Sequence, residues 1–69
     1  MIKLNVVHGS GKTVNYVSVQ SIVRLAEAGA AASQYRIRSY VTITGGVVLE
    51  CEETLAELLE AIRISKETL

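Results

Sequence analysis

Tyr35-Arg36-Ile37-Arg38-Ser39-Tyr40-Val41-Thr42-Ile43-Thr44-Gly45-Gly46-Val47-Val48-Leu49-Glu50-Cys51 is the stretch whose reading decides the fold. Tyr35, Ile37, Ser39, Val41 and Ile43 alternate with Arg36, Arg38, Tyr40, Thr42 and Thr44. An extended chain with that period carries an apolar row on one side and a polar row on the other. Gly45-Gly46 is a strong signal for a two-residue hairpin turn, because glycine takes the positive φ that such turns need. Val47 to Cys51 reads as the returning strand, with Val47, Leu49 and Cys51 on one face. The spacing predicts a hairpin over 35–51.

Downstream, Thr54 stands three residues before Glu57, the arrangement in which each side chain satisfies an orphan amide at a helix start. A helix over 55–66 is expected. At about 100° per residue, Leu55, Leu58, Leu59, Ile62 and Leu69 share one stripe and Glu57, Glu60 and Glu67 lie opposite. One stripe implies one docking surface, the sheet. Ile64 falls about 180° from Leu55, among the glutamates, where the helix should be wet.

Upstream, Ile2, Leu4 and Val6 alternate with Lys3, Asn5 and Val7. The turn-forming His8-Gly9-Ser10-Gly11-Lys12 and the β-rich Thr13 to Val19 complete a first hairpin over about 2–19. Between the hairpins two readings stand. Val19, Ile22, Val23 and Ala26 fit a helical stripe, while a short turn at 18–21 followed by a strand over 22–26 fits as well. Gly29 and the Ala30-Ala31-Ala32-Ser33 run read as a connector of small residues. The sum is an α+β domain: a small antiparallel, strongly bent sheet of four or five strands with one C-terminal helix packed on it.

Sixty-nine residues make one domain, 1–69, and a chain of this size buries only about 60% of the surface it exposes when unfolded. An apolar share of 49%, 20% charged residues and no proline place it with folded globular domains. A core this small yields about 3 to 5 kcal/mol unless something adds to it. Cys51 is the single cysteine and His8 the single histidine, so neither an internal disulfide nor a four-ligand zinc site is expected, and no cofactor is implied. Association remains, and a homo-oligomer is the expectation. No apolar run approaches the roughly 20 residues that span a bilayer, and no leader pattern is seen, so no membrane is expected as a partner and the cytoplasm is the expected compartment.

The net charge of zero hides a division. Residues 1–49 carry Lys3, Lys12, Arg24, Arg36 and Arg38 against Glu27, a balance of +4. Residues 50–69 carry six glutamates against Arg63 and Lys66, a balance of −4. Two faces of opposite sign would steer oppositely charged partners, including second copies of the chain.

Read in order, Met1-Ile2-Lys3-Leu4, a glycine turn, Val14-Asn15, Ile22 with Leu25, Val41-Thr42-Ile43-Thr44-Gly45-Gly46 and Glu53-Thr54-Leu55-Ala56-Glu57-Leu58 resemble the small FlbD-like proteins. That family is named for a flagellar and swarming-motility association, and its shape is similar to that of other small bacterial and phage proteins. The resemblance implies a strand over 22–26 and a flagellar or motility role. The stretch from Gly29 to Gln34 departs from the family pattern as an insertion. The second half, with Tyr40-Val41-Thr42-Ile43, a glycine turn and Thr54-Leu55 opening an acidic helix, is also similar to the end of LytTR-type DNA-binding domains, without their basic loops.

Gly9-Ser10-Gly11-Lys12-Thr13 invites a phosphate-loop reading. That motif needs a glycine where Val6 stands and a helix after Lys-Thr, and a strand is expected here. His8 reads as a solvated turn residue and Cys51 as a small buried hydrophobe. Paired-carboxylate catalysis needs a cleft that 69 residues hardly enclose, so no enzyme is expected. The constellation that carries chemistry is the polar row Arg36, Arg38, Tyr40, Thr42 and Thr44. Guanidinium groups ending in an aromatic ring suit a protein surface or nucleic-acid phosphates and bases, and also occur on strands left in water. The expected function is a small interaction module that binds another protein, a regulator, motility factor or phage-type inhibitor, through Arg36, Arg38, Tyr40, Glu57, Glu60 and Ile64. The alternative is a DNA- or RNA-binding regulator that uses the Arg36, Arg38 and Tyr40 face.

Overall fold

A computed structural model describes residues 1–9 and 11–67, the side chain of Ser33 excepted. The elements are β1 (Ile2–His8), β2 (Gly11–Val17), a 3-10 turn (Val19–Ser21), β3 (Ile22–Glu27), α1 (Ala30–Ser33), β4 (Ser39–Ile43), β5 (Val47–Cys51) and α2 (Leu55–Glu67). The five strands form one antiparallel sheet in the order β2-β1-β5-β4-β3, so the fold is α+β.

The connection from β2 to β3 shows why this sheet is bent. The two strands occupy opposite edges yet are joined by residues 18–21 alone. Flat, the edges would stand about 19 Å apart, and because β2 and β3 run in the same direction Val17 and Ile22 would also lie at opposite ends of the sheet, farther than a linker of this length reaches even when extended. It folds instead into a 3-10 turn, with Ser18 Oγ accepting from the Gln20 N–H. The sheet therefore curls until its edges approach. The turn is pinned at the far side by the Thr44 N–H, which donates to the Ser21 carbonyl at 2.8 Å.

The concave side holds the core. Ile2, Leu4 and Val6 of β1, Val41 of β4, Cys51 of β5 and Leu58 of α2 form one buried cluster, ringed by Val17, Val19, Ile22, Leu25, Ile43, Leu49, Ala61 and Ile62. Leu58 is the helix's anchor: it is 1% exposed, while Leu59 beside it is 54% exposed. The stripe expected around Leu55, Leu58, Leu59 and Ile62 is thus displaced. Leu55, Leu58, Ala61, Ile62 and Ser65 are the covered or half-covered positions, a rotation of roughly 40° that turns Leu59 to the flank. The same rotation moves Ile64, 48% exposed, from the wet pole to the other flank. Leu69 lies outside the described residues.

Other boundaries also shift. The second hairpin begins at Ser39, not Tyr35, because the chain turns through 34–36 and Arg36 adopts φ 66 in the left-handed region. Tyr35, expected in the apolar row, is exposed in that turn. The β4–β5 connection has three residues, with Ile43 opposite Val47 and the Gly46 N–H donating to the Ile43 carbonyl. Gly45 and Gly46 both take positive φ there, which is why glycine is needed. Val47 follows the inner alternation but is exposed at the sheet's end. Of the two readings left open at 18–27, the turn followed by a strand is the one the chain adopts.

Candidate interaction surface

Each strand sends alternate side chains to the core and to the convex side, and the register fixes which outer residues are neighbours. Tyr40 on β4 stands opposite Glu50 on β5 and Ala26 on β3. One step along, Thr42 stands between Val48 and Arg24. The outer side of β3, β4 and β5 therefore presents a centre of Tyr40, Thr42, Val48 and Ala26, rimmed by Glu50 on one strand and Arg24 on another. The helix packs on the core side, through Leu58, and leaves this side uncovered. Val7, on the outer row of β1, is buried although its row also holds exposed Lys3. Its signal in the sequence was the consecutive pair Val6-Val7, which breaks the alternation.

Tyr40 and Thr42 are the members of the expected polar row that keep the predicted setting. Arg36 is off the strand, and its guanidinium pairs with Glu52 at 3.9 Å. Lys12 reaches the same carboxylate at 3.4 Å. The positive half and the negative half of the sequence thus meet inside one molecule. Arg38 lies just before β4, its N–H donating to the Cys51 carbonyl, and its positive charge acts on Glu57 at the start of α2.

The expected acidic contacts are also engaged within the chain. The Glu57 N–H donates to Thr54 Oγ1 at 3.1 Å and the Thr54 N–H donates to Glu57 Oε1 at 3.0 Å, a closed capping box. Those bonds, the backbone one first, hold the Glu57 carboxyl below its usual pKa, and Arg38 adds to the effect. Glu60 pairs with Arg63, which also bonds Glu67 at 2.8 Å, and both contacts raise the Arg63 pKa. Ile64 remains a lone apolar side chain on a flank, which by itself needs no explanation.

A cleft of about 430 Å³ opens between the end of β3, the residues before β4 and the start of α2. Glu27, Ile37, Arg38, Thr54 and Leu55 line it with the 28–30 segment. Its ionisable lining groups are one acid and one base, and the Thr54 hydroxyl is committed to the helix cap. Paired-carboxylate or nucleophilic chemistry has no constellation to use there. His8 is exposed at the end of β1, and Cys51 is fully buried. Among the described residues no three His, Cys, Asp or Glu side chains gather as a metal site requires, and no helix is long and apolar enough to cross a membrane.

Sequence reasoning missed Glu53. Its carboxylate accepts from the Asn5 backbone and side chain, and its carbonyl accepts from the buried Ser39 hydroxyl at 2.7 Å. No local pattern announces a partner so distant in the chain. Compared with protein-family models, curated proteins and solved structures, the chain matches none.

Proposed function

We propose that the chain is a non-catalytic protein-binding module that docks its partner on the outer side of β3, β4 and β5, around Tyr40. The observation that carries this reading is the composition of that side: an aromatic ring amid Thr42, Val48 and Ala26, with Glu50 and Arg24 at the rim. A protein interface of small size has this anatomy, an apolar and aromatic centre within a charged border of both signs. Tyrosine is a favourable anchor because it buries a large ring at little conformational cost and keeps a hydroxyl for a rim hydrogen bond. A regulator, a phage-type inhibitor or a motility factor of the kind the FlbD-like resemblance implies would act by such docking, without chemistry of its own.

The nucleic-acid reading depends on Arg36, Arg38 and Tyr40 acting as one row. With Arg36 held by Glu52 and Arg38 beside Glu57, that row has less charge to offer phosphates. Capture from the native host with tagged full-length chain tests the proposal. Tyr40→Ala and Val48→Glu are expected to lose the captured protein at least tenfold, while Glu60→Ala retains it. Retention by both outer-side variants would overturn the docking site. Salt-sensitive binding of mixed-sequence RNA or DNA at micromolar protein, lost in Arg38→Ala, would replace the reading with the nucleic-acid one.

A further inference from the structure

The two edges of the sheet are finished differently. On β3 the register shifts between Ile22 and Arg24, so Val23 sits in a bulge that disrupts the ladder and turns the edge away from strand addition. β2 carries no such guard. Its seven residues, Gly11–Val17, run in unbroken register with β1, contain no proline and hold a single charge, Lys12. Among the described residues no strand lies on its far side.

Geometry fixes which backbone groups that edge presents. The Asn5 backbone N–H and C=O are taken by Glu53 and Glu52 on the side away from β2, so Asn5 and Val14 form a non-hydrogen-bonded pair and bonded pairs fall at His8 with Gly11, Val6 with Thr13, Leu4 with Asn15 and Ile2 with Val17. Lys12, Val14 and Tyr16 therefore turn their N–H and C=O groups outward. Their side chains share the outer row, where Val14 is 45% and Tyr16 65% exposed.

We propose that β2 pairs antiparallel with β2 of a second copy of this chain, about a two-fold axis at Val14, joining two sheets into one continuous sheet. The second copy is the occupant because the strand is self-complementary in this register. Val14 meets the partner's Val14, Thr13 meets the partner's Asn15, and Lys12 meets the partner's Tyr16. All three outward residues of each strand find partners, giving about six backbone hydrogen bonds. The two Lys12 residues stand about 14 Å apart along the strands, so no like charges face each other. Glu52 holds the Lys12 ammonium back toward β5 and leaves its aliphatic stem to cover the partner's Tyr16 ring. An axis on Lys12 would set the two cations opposite each other, and an axis on Thr13 or Asn15 would match only two outward residues of each strand. The acidic side of α2 is the weaker candidate, since Glu57, Glu60 and Glu67 are bonded within their own helix and cap.

Light scattering on a sizing column, with the full chain at about 100 µM and physiological salt, tests the pairing. The native chain and Tyr16→Glu, which sets a carboxylate opposite Lys12, are expected at the dimer mass. Tyr16→Lys sets like charges opposite each other twice, and Val14→Pro removes an outward N–H that β1 does not use; both are expected at the monomer mass with native circular dichroism. If Val14→Pro fails to fold, Tyr16→Lys decides, because Tyr16 is exposed in the single chain. A monomeric native chain, or a dimer whose mass Tyr16→Lys leaves unchanged, overturns the proposal. Tyr40→Ala is expected to leave the dimer intact, which separates this pairing from docking at Tyr40.

Discussion

Asn5 and Glu53, 48 residues apart in sequence, meet at the corner where β5 gives way to α2: the Glu53 carboxylate accepts from the Asn5 backbone N–H at 3.0 Å and from its side-chain amide. The same corner is tied by the Glu52 N–H to the Asn5 carbonyl and by the Ser39 hydroxyl to the Glu53 carbonyl. β1 meets β5 where Val6 stands opposite Cys51, and these bonds extend that short ladder. Glu53→Ala leaves the half-buried Asn5 N–H without its acceptor and is expected to cost about 1 to 3 kcal/mol. Glu53→Gln keeps one acceptor oxygen and should recover part of the loss. Urea midpoints of the two variants check the order.

The capping box makes a second prediction, with a pH dependence. Thr54→Ala should cost about 1 kcal/mol, since it strips the cap from the helix that carries Leu58 into the core. Glu57 has a lowered pKa in the folded chain, through the Thr54 backbone and side-chain bonds and then Arg38. Its contribution is therefore present above the unfolded carboxylate pKa and lost as pH falls through the folded one. Titration of Glu57 by NMR should show its midpoint rising in Thr54→Ala, and the acid limb of stability flattening with it.

Leu58 and Leu59 are adjacent in sequence and opposite in consequence. Leu58→Ala opens a cavity against Leu4 and Val41 and should cost about 2 to 5 kcal/mol. Leu59→Ala, on a side chain more than half exposed, should stay within about 1 kcal/mol. Denaturant midpoints in the reverse order would mean that the helix docks through the flank.

These leucines show how far the sequence could be read. Strand alternation, the glycine turns and the Thr54–Glu57 box are local signals, and the elements they predict are present. The helical stripe is local too, but Leu55, Leu58, Leu59 and Ile62 span a wide arc, and which part of it faces the core depends on how the curled sheet meets the helix. The alternation from Tyr35 to Arg38 misled for another reason: the pattern of apolar and charged residues continues through a turn whose left-handed residue is an arginine, where glycine or asparagine is the usual sign. The candidate surface was half legible. Tyr40 lay in the expected row, whereas Val48, Ala26 and Arg24 join it through pairing between strands, and that register is not written in any one segment.

Cys51 gives the last prediction. It is fully buried against Leu4 and Val41, and burial, with the Glu53 charge as a second cause, pushes its thiol up to about 11. In the unfolded chain the same thiol ionises near 8.5. A folded pKa raised above the unfolded one gives stability that is complete below the unfolded value and lost as pH rises through the folded value. Between about pH 9 and 11 the native chain should therefore lose up to about 1.4 kcal/mol of stability per pH unit relative to Cys51→Ala, whose own alkaline loss lacks this contribution. Urea titrations of both proteins across that range measure the difference directly. At neutral pH a disulfide reagent should label Cys51 only as fast as the chain opens, so labelling should accelerate as urea is added. A native thiol that reacts at the rate of a free peptide thiol would mean that β5 does not hold Cys51 against the core.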